Sequence, residues 1–282
     1  CSDKGATITG IVSMGSPERL FITGSFGKAI SVNGEYAWTS SPYVESWFVA
    51  KISWNLDDTM WVGSGPSSTT DDFEIHDIVD NGVYDLYVSG CKDGGKFVGL
   101  IAGDGTWGWT NTFGSSCEPT KIGLDPLNGP YVTGTYVQNN NIDFGGTVLE
   151  HSSPIALGHF VAHWDASGNF QWAEDNLHLL QNQGSSSAVL FNDDARPTGI
   201  LVDGDGRVYT CGYIKGGAFF KSDTLFGDTS YVAAIDGPLL IVEPNTIINP
   251  DGGAIPSISV VNTIMLIIGA TLLAQKRKNS SP

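Results

Sequence analysis

Short apolar runs recur along the chain, each bounded by Gly, Asp, Asn and Ser, the pattern of brief strands separated by turns. Four runs hold the same place in a longer pattern: Phe48-Val49-Ala50-Lys51-Ile52, Phe97-Val98-Gly99-Leu100-Ile101, Phe160-Val161-Ala162-His163-Trp164 and Tyr231-Val232-Ala233-Ala234-Ile235. Ahead of each lie two apolar stretches, beginning at Ile8, Ile75, Thr120 and Pro197, the second ending near Gly24, Gly90, Gly134 or Gly212. Behind three of them a tryptophan follows at twelve or thirteen positions: Trp61, Trp109 and Trp172. The fourth unit lacks it, and Leu239-Leu240-Ile241-Val242 after the Asp236-Gly237 turn is expected as its last strand. Each unit thus predicts four strands joined by hairpins, with turns such as Gly103-Asp104-Gly105 and Asp165-Ala166-Ser167-Gly168-Asn169.

The central runs do not alternate. Phe48, Ala50 and Ile52 point one way while Val49 points the other, so these strands are expected to be covered on both faces. Sheets stacked on neighbouring sheets meet that demand, with the fixed tryptophan filling the wedge between them. The units resemble the seven-bladed β-propeller repeat of bacterial and archaeal cell-surface proteins. The resemblance is carried best by Tyr131-Val132-Thr133-Gly134, Phe144-Gly145-Gly146, Phe160-Val161-Ala162, Asp165 to Asn169 and Trp172-Ala173. It spans about residues 5–243 and implies an all-β fold, a β-propeller or partial propeller of about four four-stranded antiparallel blades. It also implies binding or adhesion rather than a defined reaction. Propellers close with about 4–8 blades, so the expectation is that further blades precede this chain or that four form an incomplete arc. Cys1 followed by Ser2 gives the alternative of a lipidated N-terminus.

After a linker at 244–254, rich in Asn, Pro and Gly, residues 255–274 read IPSISVVNTIMLIIGATLLA, with no charge in 20 residues. At ~1.5 Å per residue a helix of that length spans the ~30 Å hydrocarbon core. A transmembrane helix is therefore predicted over 255–275, with Lys276, Arg277 and Lys278 as a membrane stop in a cytoplasmic tail, 276–282, and residues 1–243 as the ectodomain. Ile255-Pro256-Ser257-Ile258-Ser259 with its apolar helix and basic end resembles exosortase and archaeosortase sorting tails. That resemblance implies cleavage and transfer to another anchor; a plain transmembrane anchor is the alternative.

Composition narrows the function classes. The 36 glycines and only 16% charged residues suit tight-turned β structure. Before the basic tail, 11 basic face 30 acidic side chains, a net of −19, which repels nucleic acid. Cys91 and Cys117 flank one unit and are a candidate disulfide in an oxidising compartment; four unrelated buried thiols are the alternative, and no cysteine has zinc spacing. His159 and His163 share a strand face, and no third ligand accompanies them. His76, His151 and His178 show no partners in the sequence. Asp203-Gly204-Asp205-Gly206 begins like a calcium loop, but Arg207-Val208-Tyr209 resumes a strand where the later acidic ligand belongs. Asp57-Asp58, Asp71-Asp72 and Asp193-Asp194 read as solvated loop acids. There is no GxSxG, no Walker loop and no GxGxxG opening a helix. Long loops over Leu177–Asp194 and Val137–Gly158 are candidate binding regions. No cofactor is expected, with calcium at the Asp203 loop as the alternative. The expected function is a cell-surface binding, adhesion or structural module contacting a surface protein or glycan. The rival class is a propeller enzyme acting on carbohydrate, or a quinone-dependent oxidoreductase.

Overall fold

The computed structural model describes residues 7–15, 18–26, 29–32, 35–38, 46–53, 59–64, 73–82, 84–118, 120–136, 141–150, 158–179, 194–215, 217–220, 223–226, 229–234 and 240–242. The linker, the apolar segment, the sorting motif Ile255–Ser259, the basic stop Lys276–Lys278 and Cys1 lie outside them. The described residues are all β, with no helix among them, and so no helix long and apolar enough to cross a membrane.

The first sheet is built from β1 (Thr7–Gly15), β2 (Glu18–Phe26), β5 (Ser46–Ser53) and β6 (Thr59–Ser64), with β3 (Ala29–Val32) and β4 (Glu35–Trp38) as a separate hairpin. The second comprises β7 (Phe73–Asp80), β8 (Leu86–Lys92), β9 (Gly95–Ile101) and β10 (Trp107–Phe113). The third starts as β11 (Thr120–Leu124), β12 (Pro130–Tyr136), β15 (Gly158–Trp164) and β16 (Phe170–Leu179), with the hairpin β13 (Ile142–Asp143) and β14 (Val148–Leu149) between. The fourth holds β17 (Asp194–Val202), β18 (Val208–Lys215), β21 (Thr229–Ala234) and β22 (Leu240–Val242). Its inserted hairpin, β19 (Gly217–Phe220) and β20 (Asp223–Phe226), joins the third sheet instead, because β16 runs on to Leu179 and pairs Leu177–Leu179 with Ala218–Phe220. Two expected loops are thereby corrected in part: Leu177–Leu179 is strand, and Val137–Gly158 contains a hairpin.

All pairings are antiparallel, and the four sheets share one register. Gly24, Gly90, Gly134 and Gly212 lie on the second strand, opposite Phe48, Phe97, Phe160 and Tyr231 on the third. Each aromatic ring lies across its glycine: a Cβ on Gly24, Gly90 or Gly212 would meet a ring carbon at 2.8 Å as well as a carbonyl of the first strand. Trp61, Trp109 and Trp172 pair with Lys51, Leu100 and His163, the same ladder position in three sheets.

β1, β7, β11 and β17 lie side by side in chain order, so each sheet packs on the next. Phe21, Trp47 and Val49 meet Ile75, Ile78, Leu86, Val88, Phe97 and Ile101 in one core; Tyr87, Val98 and Phe113 meet Ile122, Val132, Phe160, Ala162 and Trp164 in the next. Consequently β8, β9, β12 and β15 are buried on both faces, whereas β10 alternates toward solvent. Trp109 packs edge-on against Tyr87 at 6.0 Å and donates Nε1–H to the Ala166 carbonyl of the following sheet at 3.2 Å.

Candidate functional site

In an antiparallel sheet the connections from first to second strand and from third to fourth emerge at the same end. Here that end is lined with aspartates. Three turns share one construction. Asp125 Oδ1 accepts the Leu127 and Gly129 amides, Asp165 Oδ1 those of Ser167 and Asn169, and Asp203 Oδ1 those of Asp205 and Arg207. The fourth residue of each turn has positive φ: Asn128 at 66°, Gly168 at 84° and Gly206 at 79°. The calcium-like Asp203 sequence is therefore a hairpin turn whose carboxylate is taken up by backbone donors. The Asp165 carboxyl is held below its ordinary pKa chiefly by Asn169. Among the described residues no group of three or more His, Cys, Asp or Glu is placed to hold a metal ion.

One place on this rim departs from the pattern. Between β7 and β8, Tyr84 stands at φ 109° and exposes its ring, a conformation that is costly for a bulky side chain. Arg19 lies 5.5 Å from that ring and Lys51 Nζ 5.4 Å from it, both from the first sheet. Lys51 is buried, faces the Phe21 ring at 5.5 Å and donates to the Gly103 carbonyl at 2.8 Å. Burial, then Arg19, lowers its pKa, against the pull of Asp85 and Asp104. The segment is held from below: Asn81 and Asp85 exchange hydrogen bonds at 3.1 and 3.2 Å, and Asp85 Oδ1 accepts the Gly103 amide. The result is an exposed phenol flanked by two cations, with carboxylates and an amide beside it. Such a surface offers an aromatic face and many hydrogen-bonding groups.

Along the inner strands a second polar set links the second and third sheets. His76 contacts Glu74 at 3.7 Å and accepts the Thr120 amide at Nδ1, so the apparently solitary His76 has partners. Asp77 lies 3.8 Å from Lys121 and accepts the Ile122 amide. Burial lowers the His76 pKa and raises that of Asp77, opposed by Glu74 and Lys121 respectively.

At the opposite end Cys91 and Cys117 are joined as a disulfide, Cα atoms 5.2 Å apart. Beside it, the fully buried Lys96 gives all three ammonium hydrogens away, to Ser116 O at 2.7 Å, Ser116 Oγ at 3.1 Å and Glu118 at 2.7 Å. The sequence reading missed this pair because it joins residues 22 apart; the available signal was a lysine set in the apolar stretch Gly95–Val98. His159 and His163 share a face but have separate fates. Thr133 donates to the Phe160 carbonyl, so His159 Nε2–H donates to Thr133 Oγ at 2.7 Å; His163 stacks on Tyr131 at 4.0 Å and faces Asp125 at 3.2 Å. Burial drives the His159 pKa down to about 3 and lowers that of His163 against Asp125. Cys211 is a free, half-buried thiol. His151 and the side chain of His178 lie outside the described residues.

The arrangement defines an antiparallel, stacked-sheet β protein with an exposed aromatic and charged surface at one rim. No family model matches the chain, and no curated protein matches it.

Proposed function

We propose that the chain is a β-propeller, or an arc of one, displayed outside the cell on a C-terminal membrane segment, and that it binds a glycan or surface protein through the rim around Tyr84. The observation that carries the reading is that strained, exposed tyrosine, held between Arg19 and Lys51 with Asp85 and Asn81 fixed behind it. Ring faces and rigid polar groups recognise extended polar ligands at little entropic cost, and many weak copies on one surface add avidity. The sequential packing of four sheets through their first strands supports the propeller, and the Cys91–Cys117 bond suits an oxidising exterior. The apolar stretch 255–274, ended by Lys276-Arg277-Lys278, supports the anchor.

Two measurements on the native cells test this. Protease added to intact cells should remove the ectodomain; full protection would overturn the display. Surface polysaccharide and surface-protein extracts from those cells should retain the full chain, and Tyr84→Ala should lower retention at least tenfold while leaving the thermal midpoint within a few degrees. Equal retention of the variant would remove the rim from the reading. The intact mass from the same cells separates the two anchors: loss of everything from Ile255 onward means a sorted and cleaved tail, retention of Lys276–Lys278 a transmembrane one.

A further inference from the structure

Corresponding positions in the four sheets are covered to different extents, and the differences fall at the two ends of the stack. On the face turned toward the preceding sheet, Ile75 and Ile78 of β7 are 1% and 8% exposed, and Ile122 of β11 and Pro197 of β17 are buried. Ile8 and Ile11, at the same ladder positions of β1, are 57% and 59% exposed. The next strand agrees: Leu86, Val88, Pro130, Val132, Val208 and Thr210 are buried, while Leu20 and Ile22 are half-buried. The opening does not extend to β5, where Phe48 and Ala50 are buried with Phe26.

The face turned toward the following sheet shows the reverse. Phe21, Tyr87 and Tyr131 are buried, and Tyr209 is half-buried; Thr23, Ser89 and Thr133 are buried, and Cys211 is half-buried; Val49, Val98 and Val161 are buried, and Val232 is half-buried. Among the described sheets, then, none lies in front of the first and none behind the fourth. The three internal junctions show what each end takes. In one of them Thr120 Oγ, at the Ile8 position, donates to Ser89 Oγ, at the Cys211 position, over 3.0 Å.

We infer that the last sheet of one chain packs on the first sheet of a second copy, and reciprocally, so that two chains close one ring of eight sheets. The surfaces are already complementary, because each junction between copies would repeat a junction the chain makes internally. A head-to-tail contact closes into a ring when its rotation allows, and eight sheets fall within the about 4–8 blades with which propellers close. The inference rests on the propeller reading.

The test uses the full chain in detergent micelles. Ile8→Cys places a thiol where Thr120 meets Ser89, so oxidation should join it to the natural Cys211 of a second chain. The expected product is a two-chain species, dissolved by reductant and lost when Cys211→Ser is added. The natural chain should sediment as two copies at micromolar concentration, and Ile8→Asp with Ile11→Asp should raise the dissociation constant at least tenfold. A bond formed within one chain would keep the propeller and overturn the two-copy ring. A ladder of larger products, or a natural chain that sediments singly whatever the variants do, would also overturn it. Thr120→Cys with Ser89→Cys in one chain is the control: an internal bond is expected, and its failure would sink the stacked reading itself.

Discussion

At the residue scale, the molecule depends on a few polar groups buried at the cost of their ordinary protonation. His159 is neutral because burial holds its pKa near 3, and its Nδ1 has no hydrogen-bond partner among the described residues. Its folded pKa lies below the ordinary value near 6.5, so between about pH 6.5 and 3 the unfolded chain binds a proton that the folded chain refuses. Stability must therefore rise with pH through that window and fall on acidification, by at most about 1.4 kcal/mol per pH unit for one site. His159→Gln, whose amide can still donate to Thr133, should flatten the pH 6.5–4.5 part of a urea-midpoint profile; an unchanged slope would assign the acid sensitivity elsewhere. Lys96 makes a sharper case. Burial lowers its pKa against Glu118, while Glu118, though itself pushed up by burial, is drawn below its ordinary value by Lys96 and Ser116. Glu118→Gln strands the ammonium and should cost about 2–3 kcal/mol, less than a fully buried pair because Glu118 keeps some solvent. Adding Lys96→Met to Glu118→Gln should recover most of that loss in chemical denaturation.

At the element scale, what was legible in the sequence was whatever local sterics dictate. Gly24, Gly90 and Gly212 could be read as a recurring signal because a ring of the neighbouring strand and a first-strand carbonyl leave no room for a Cβ. Gly90→Ala should therefore cost about 2–3 kcal/mol by overpacking, against about 1 kcal/mol for Gly82→Ala, where a Cβ meets nothing and only the positive φ of 75° is at issue. Thermal unfolding of the two variants ranks them. The hairpin β13–β14 escaped notice because its strands are two residues each, too short for any alternation to register. The six-stranded third sheet escaped because Leu177–Leu179 and Ala218–Phe220 are distant in sequence. The rim was visible only as turn formers. That Tyr84 takes positive φ and receives Arg19 and Lys51 depends on the first sheet docking on the second, which no local pattern encodes.

At the scale of the whole molecule, charge opposes compaction. Thirty acidic and 14 basic side chains give −16, and several aspartates converge on one end of the sheets. Raising salt from about 0.01 M to 0.15 M shortens the Debye length from about 30 Å to 8 Å and should relieve this repulsion. The thermal midpoint should climb by several degrees over that range, and a fall would mean that attractive pairs such as Lys121–Asp77 dominate. The shared register has one further consequence. Between the second and third strands, the second sheet makes its reversal with Asp93 and Gly94 alone, at φ 51° and 80°, while the other three sheets place residues 27–45, 137–157 and 216–228 across the same junction. Gly24–Phe48, Gly90–Phe97, Gly134–Phe160 and Gly212–Tyr231 stay paired regardless. That junction is a splice point: foreign peptide inserted there, or native sequence trimmed from it, leaves the ladder where it was, so novelty can accumulate at one edge without renegotiating the core.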